Sequence, residues 1–217
     1  MNIEYIIILI VVILFSMTIH EAMHAFMGFW LGDDTAEREG RLTLNPIKHI
    51  DPFLTLALPI MLAFIPGAPI FGGAKPVPFN PDRVRYGEWG AALVAVAGPL
   101  TNLFIAFIAF GVAQLTGYSE GVFISSDTLV GMILYMTVIV NLGFFAFNML
   151  PIPPLDGSRV VYALAPEFVR RAMEAIERFG IIFVFILVLV ASEQIGALMS
   201  MIIATCLSAF RAVFGLF

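Results

Sequence analysis

The sequence predicts an all-α polytopic membrane protein of about five transmembrane helices, with a re-entrant or in-plane segment and a short β-strand element. Three observations predict it. Of 217 residues, 60% are hydrophobic and 12% are charged, whereas a soluble domain is usually about 45–50% apolar and about 25% charged. The apolar residues gather into long runs instead of alternating with polar ones. Ten of the eleven Lys and Arg residues fall in three polar stretches, 33–52, 75–87 and 157–178. The length reads as one domain, 1–217, with a core at about 3–165 and a C-terminal helical hairpin at about 168–217.

The first run, Tyr5 to Leu31, is long enough to cross a bilayer as a helix, since residues 3 to 31 rise roughly 40 Å. It lacks a basic n-region, its apolar run is too long, and no small-x-small site follows, so it reads as a span and not as a cleaved signal. Gly32-Asp33-Asp34 ends it. In the polar stretch that follows, Arg41-Leu42-Thr43-Leu44 alternates as a short strand does, and Asn45-Pro46 closes it. Residues 53–73 are apolar but broken by Pro59, Pro66, Gly67, Pro69, Gly72 and Gly73, which suits a re-entrant or in-plane piece. The prolines of Lys75 to Pro81 keep that segment extended. Further spans are expected at about 89–115, 128–150, 179–191 and 195–216.

The basic stretches belong together on the cytoplasmic side of a cell membrane, with the N-terminus outside, because the 116–127 loop holds no Lys or Arg. The net charge of -5, without a basic patch, gives no sign of a nucleic-acid partner. Cys206 is the single cysteine, which excludes an intrachain disulfide and a Cys-rich metal site; it reads as a packing residue. Glu174 and Glu177 with Arg170, Arg171 and Arg178 read as a solvated helix face with i,i+4 pairs, and Phe144-Phe145-Ala146-Phe147 as packing.

Chemistry concentrates in His20-Glu21-Ala22-Met23-His24. Helix positions four apart share a face, so His20 and His24 can hold one ion, with Glu21 beside it as general base. Ionisable residues inside a span call for a functional reason. A catalytic zinc then needs a third protein ligand. Six residues past His24 stands Trp30, and Glu37 and Glu39 lie in a loop without a helix pattern. Asp156 is the better candidate, at the foot of a span broken by Pro151-Ile152-Pro153-Pro154 and followed by Gly157; its plain alternative is a helix cap. The depths agree. His20 lies roughly 26 Å and Asn148 roughly 30 Å from the outer face. A metal transporter is the rival class, but no further ligands stack along the spans. The intact Glu21 argues against a pseudoprotease.

Three stretches together resemble the site-2 protease family of intramembrane zinc metalloproteases. They are His20 to His24, Gly98-Pro99-Leu100-Thr101-Asn102, and Asn148 to Gly157, similar to the family pattern N-x-x-P-x-P-x-L-D-G. Gly40 to Pro52 and Lys75 to Pro81 look like the short prokaryotic branch without a PDZ or CBS domain. The likeness covers most of residues 15–160 and is weak over the last sixty. It implies one zinc ion per chain on His20, His24 and Asp156, water activation by Glu21, and help from Asn148, for instance at an oxyanion. It further implies a transmembrane protein substrate, cut within the lipid bilayer in regulated intramembrane proteolysis, at a site near the cytoplasmic face. A transmembrane helix must unwind before its peptide bonds can be attacked. Arg41, Leu42, Thr43 and Leu44, or Lys75 to Pro78, are therefore expected to offer a strand edge to the substrate. Asn102 and His49 are weaker substrate-binding candidates: Asn102 can equally pack helices, and His49 can equally sit at the membrane surface or bond Asp51.

Overall fold

A computed structural model describes residues 3–57, 73–120, 123–124 and 127–215. Helix α1 (Ile3–Leu31) is the expected first span. A short α2 (Thr35–Arg38) follows in the polar loop, with single turns at Pro46–Lys48, Pro52–Ala57 and Pro81–Arg83. The long α3 (Glu88–Leu115) leads to a hairpin of two-residue strands, β1 (Ser119–Glu120) and β2 (Phe123–Ile124), paired antiparallel. Then come α4 (Leu129–Asn148), α5 (Asp156–Leu164), α6 (Glu167–Glu177), α7 (Gly180–Val190) and α8 (Ser192–Val213). Among the described residues, four helices are long and apolar enough to cross a membrane: α1, α3, α4 and α8. The segment expected as a further span at 179–191 holds only the 11-residue α7. At 1.5 Å per residue it rises about 16 Å, half of a hydrocarbon core of about 30 Å.

Helix α3 is the centre of the bundle, and α1, α4 and α5 all pack on it. The reason lies in its composition. Ala91, Ala95, Gly98, Ala106 and Ala109 are buried along it, and small residues let apolar helices approach closely where lipid leaves no hydrophobic drive between them. Ile8 and Val12 of α1 meet Met136 of α4. Phe110 of α3, Leu142 of α4 and Phe210 of α8 form the largest apolar cluster, with half-buried Cys206 against it. Cys206 is thus the packing residue its surroundings predicted. Val184 and Val188 bring α7 onto Leu150 and Leu155 at the foot of α4.

The short strand expected at Arg41 to Leu44 is absent: the chain bends there, and the Thr43 N–H turns back to the Arg41 carbonyl at 3.0 Å. Alternation alone does not make a strand without a partner edge, and this loop finds none among the described residues. Among the described residues the β1–β2 pair is the only sheet, and it lies in the 116–127 loop. Of the expected re-entrant segment, residues 58–72 lie outside the described residues. Its flanks do meet, since the Thr55 hydroxyl donates to the Gly73 carbonyl at 2.7 Å. The loops before and after it are also joined. Asn80 N–H donates to the buried Asp33 at 2.8 Å, and Lys75 N–H to the His49 carbonyl at 2.9 Å. Both loops therefore sit at one end of the bundle.

Thr128 caps α4 by accepting the Gly131 N–H at 3.1 Å. At the other end the proline run stops the helix, since three prolines in four residues cannot supply its N–H groups. The chain turns back so tightly that a Cβ on Gly157 would lie 2.5 Å from the Met149 carbonyl oxygen and 2.8 Å from that of Leu150. Both neighbours are backbone and cannot yield. Gly157→Ala should therefore destabilise the protein by roughly 1–3 kcal/mol, read as a lowered thermal midpoint in detergent; an unchanged midpoint would show that the turn has slack.

Past that turn, α5 and α6 clasp each other. Arg170 donates to the Tyr162 and Ala163 carbonyls at 3.0 and 3.1 Å, and Arg159 pairs with Glu177. Glu174 accepts the Tyr162 hydroxyl at 2.6 Å and thereby pushes that phenol up to about 12. Of the residues expected to pair i,i+4, Glu174, Glu177 and Arg170 reach across to α5 instead, and Arg171 pairs with Glu167.

Candidate metal centre

The site is built from α1, α3 and the turn that joins α4 to α5. The 3.6-residue period of α1 aims His20 and His24 at α3, their rings 4.6 Å apart and nearly perpendicular. The broken end of α4 delivers Asp156 as the first residue of α5. Its Oδ2 lies 3.3 Å from His20 Nε2 and 3.4 Å from His24 Nε2, and the two Nε2 atoms are 3.0 Å apart. Among the described residues this is the group of His, Cys, Asp or Glu side chains that could hold a metal ion, with its ligand atoms within 4.8 Å of one another.

The outer nitrogens explain why the inner ones converge. His24 Nδ1 is 2.8 Å from the Val94 carbonyl, which only accepts, so Nδ1 carries a proton and, in the neutral ring, Nε2 keeps the lone pair. His20 Nδ1 donates to Asn102 Oδ1 at 2.5 Å. Two imidazole lone pairs and a carboxylate oxygen then face one another across a few ångström. Three acceptors without a donor repel in apolar surroundings unless a cation joins them. Two nitrogens and one carboxylate oxygen are the donor set of an open zinc site, which keeps its fourth position for water. The residues present thus fit the group. The cradle is also shaped for it. A Cβ on Gly98 of α3 would lie 2.5 Å from His24 Nε2 and 2.7 Å from His20 Nε2, so only a glycine there leaves room.

Glu21 reaches the extended strap 73–80. Its Oε2 accepts the Val77 N–H at 3.2 Å. The strap is itself braced: buried Arg41 donates to the Lys75 carbonyl at 2.7 Å, and buried His49 donates from Nε2 to the Thr43 carbonyl at 2.8 Å. Arg41 and His49 are both buried, and each gives a hydrogen bond that holds the loops. Leu42 and Thr43 are half-buried in the same bend, and Leu44 is exposed. Asn102 is fully buried on His20, which places it behind the histidine and not in a substrate cleft. The Asn148 amide donates back to the Phe144 carbonyl at 3.0 Å, one turn up α4. Trp30, Glu37 and Glu39 are exposed and apart from the cluster. Sequence reasoning passed over the Val77 N–H, the Val94 carbonyl, Ser16 and Asn141. The last two were visible as polar residues in apolar runs, a signal that asks for partners.

A His-His-Asp group that could hold a metal ion, set among apolar helices long enough to cross a membrane, fits a membrane metallopeptidase, and comparison with known proteins agrees. The model of Peptidase family M50 matches residues 121–192. The chain belongs to this family, the site-2 proteases, since its relatives match over four fifths of its length. It is 39% identical over 180 residues to the protein of Bacillus subtilis (strain 168) named "Putative zinc metalloprotease YwhC", covering 82% of this chain and 78% of that one. It is 32% identical over 178 residues to "Putative zinc metalloprotease Rip2" of Mycolicibacterium smegmatis, and 30% over 179 residues to that of Mycobacterium tuberculosis (strain H37Rv). Each Rip2 match covers 81% of this chain and 64% of the relative, so the chain spans less than two thirds of the Rip2 proteins. No solved structure matches the chain.

Proposed function

We propose that this membrane metalloprotease hydrolyses peptide bonds within or beside transmembrane segments of other membrane proteins, as a step of regulated intramembrane proteolysis. The observation that carries the reading is the convergence of His20, His24 and Asp156 inside a bundle of apolar spans. These three would hold one zinc ion per chain. When bound, zinc supplies a Lewis acid that brings the pKa of water to roughly 7 and polarises a carbonyl. Glu21 takes the proton from the attacking water and passes it to the leaving amine. Its carboxylate is held for this by Val77 N–H through Oε2, which leaves Oε1 for the water. Asn148 Nδ2 spends one hydrogen on Phe144 and keeps a second for a developing oxyanion. Val94 and Asn102 keep both imidazoles facing inward.

The N-terminus lies outside and the site near the cytoplasmic face of a cell membrane in this reading. Support comes from the basic loops 33–52 and 75–87, which the Lys75–His49 and Arg41–Lys75 bonds tie to one end of the bundle. That end also carries the foot of α4, and the polar loops there give water a short path. Stripping the purified protein with a chelator should abolish cleavage of a model transmembrane substrate, and zinc at one equivalent should restore it. Cleavage that survives complete zinc removal would sink the reading; zinc flux in vesicles without cleavage would favour a transporter.

A further inference from the structure

A chain of buried amides runs behind His20 through three helices. Asn102 of α3 and Asn141 of α4 are both fully buried, and Ser16 of α1 is 1% exposed. Asn102 Nδ2 donates to Asn141 Oδ1 at 2.8 Å. Asn141 Nδ2 donates to Ser16 Oγ and to the Thr137 carbonyl, each at 2.8 Å. Polar groups in an apolar bundle are costly unless satisfied, so three of them joined end to end against a metal-ligand histidine call for a reason beyond packing.

We propose that Asn141 is a positioning residue for His20. The logic is a matter of donors and acceptors. The Thr137 carbonyl can only accept, so the Asn141 atom beside it is the NH₂. Asn141 therefore turns its Oδ1 to Asn102, which can only answer with its own NH₂. Asn102 must then show Oδ1 to His20, and His20 Nδ1 must carry the proton. Its Nε2 lone pair is left facing His24 and Asp156. The backbone carbonyl of Thr137 thus selects a tautomer two side chains away. A second contact agrees, since Asn102 Nδ2 also lies 3.5 Å from the Ser16 carbonyl, another pure acceptor. Without Asn141, only the long 3.5 Å contact to the Ser16 carbonyl holds the Asn102 amide, which can then flip and offer NH₂ to His20 Nδ1, moving the ring proton to Nε2 and blocking the metal face. The consequence for catalysis rests on the proposed zinc site; the tautomer itself does not.

The test is nitrogen NMR of the full chain in detergent with labelled histidine, of which there are three, at alkaline pH and without metal. In the wild type, His20 should show the Nδ1–H tautomer. In Asn141→Leu it should show the Nε2–H form or a mixture, and zinc affinity by chelator competition should fall about tenfold, the low end for an outer-shell partner. Ser16→Ala should keep the wild-type tautomer, because Thr137 still orients Asn141; a merely structural role would make both variants alike. If Asn141→Leu does not fold, Asn141→Ala removes the amide without bulk and takes the same measurements. An Nε2–H tautomer in the wild type, or an unchanged tautomer and zinc affinity in the folded Asn141 variant, overturns the proposal. A wild type that shows the Nδ1–H tautomer yet does not cleave would instead count against the protease reading alone.

Discussion

Glu21→Gln is expected to lower kcat for a transmembrane substrate by roughly 10²- to 10⁴-fold, the usual worth of a positioned general base. The change is nearly isosteric. A glutamine carbonyl still accepts the Val77 N–H, so the strap and the loops that brace it keep their places. None of the three atoms that could hold the metal belongs to Glu21, so zinc content should stay near that of the wild type. What is lost is the capacity to take a proton from water and return it to the amine. KM should move little, since the amide fills the same volume at the same place. Cleavage rates of purified protein, measured together with bound zinc, decide the matter. A variant that retains zinc and cuts within tenfold of wild type would remove Glu21 from the reaction.

Gly98→Ala should be as severe for a different reason. The new methyl carbon would stand 2.5 Å from His24 Nε2 and 2.7 Å from His20 Nε2, in the space between the ligand atoms. Neither ring can swing aside cheaply. Both are tied by Nδ1 to α3 itself, one to Asn102 and one to the Val94 carbonyl. Relief requires moving α3 away from α1, against the close packing of the bundle. Zinc affinity should fall by at least the 10–100-fold seen when a supporting partner is removed, and cleavage should fall with it. Gly143→Ala is the matched control, because a Cβ there meets nothing within 4 Å. It should leave zinc and cleavage unchanged and stabilise α4 by up to about 1 kcal/mol. Equal zinc content in both alanine variants would mean that the ion does not sit against Gly98.

Much of this molecule was legible before any coordinates. Long apolar runs announce spans because backbone in lipid must satisfy its own hydrogen bonds. The spacing of His20 and His24 places two ligands on one helix face by the helical period alone. Pro151, Pro153 and Pro154 stop α4 where Asp156 is needed, and counting residues down the two spans puts both halves at like depth. These features depend on a residue and its near neighbours along the chain, which is why they survive without a fold.

The remainder was decided across helices. Alternation at Arg41 to Leu44 implied a strand, but a strand needs an edge to pair with, and here Arg41 and His49 turn inward to brace residues 73–80. A run of apolar residues at 179–191 implied a span, but Gly180–Val190 stops at 11 residues and packs by Val184 and Val188 on the foot of α4. Asn102 had two readings from sequence and gained a third from the structure: it faces His20 because α3 crosses α1 at that level. The sequence by itself pointed to the long apolar helices α1, α3, α4 and α8, to the placing of His20 and His24 on one helix face, and to the helix break before Asp156. Only tertiary packing decided what stands behind each ligand, because a hydrogen bond between residues dozens apart depends on how helices cross, and no local period encodes that.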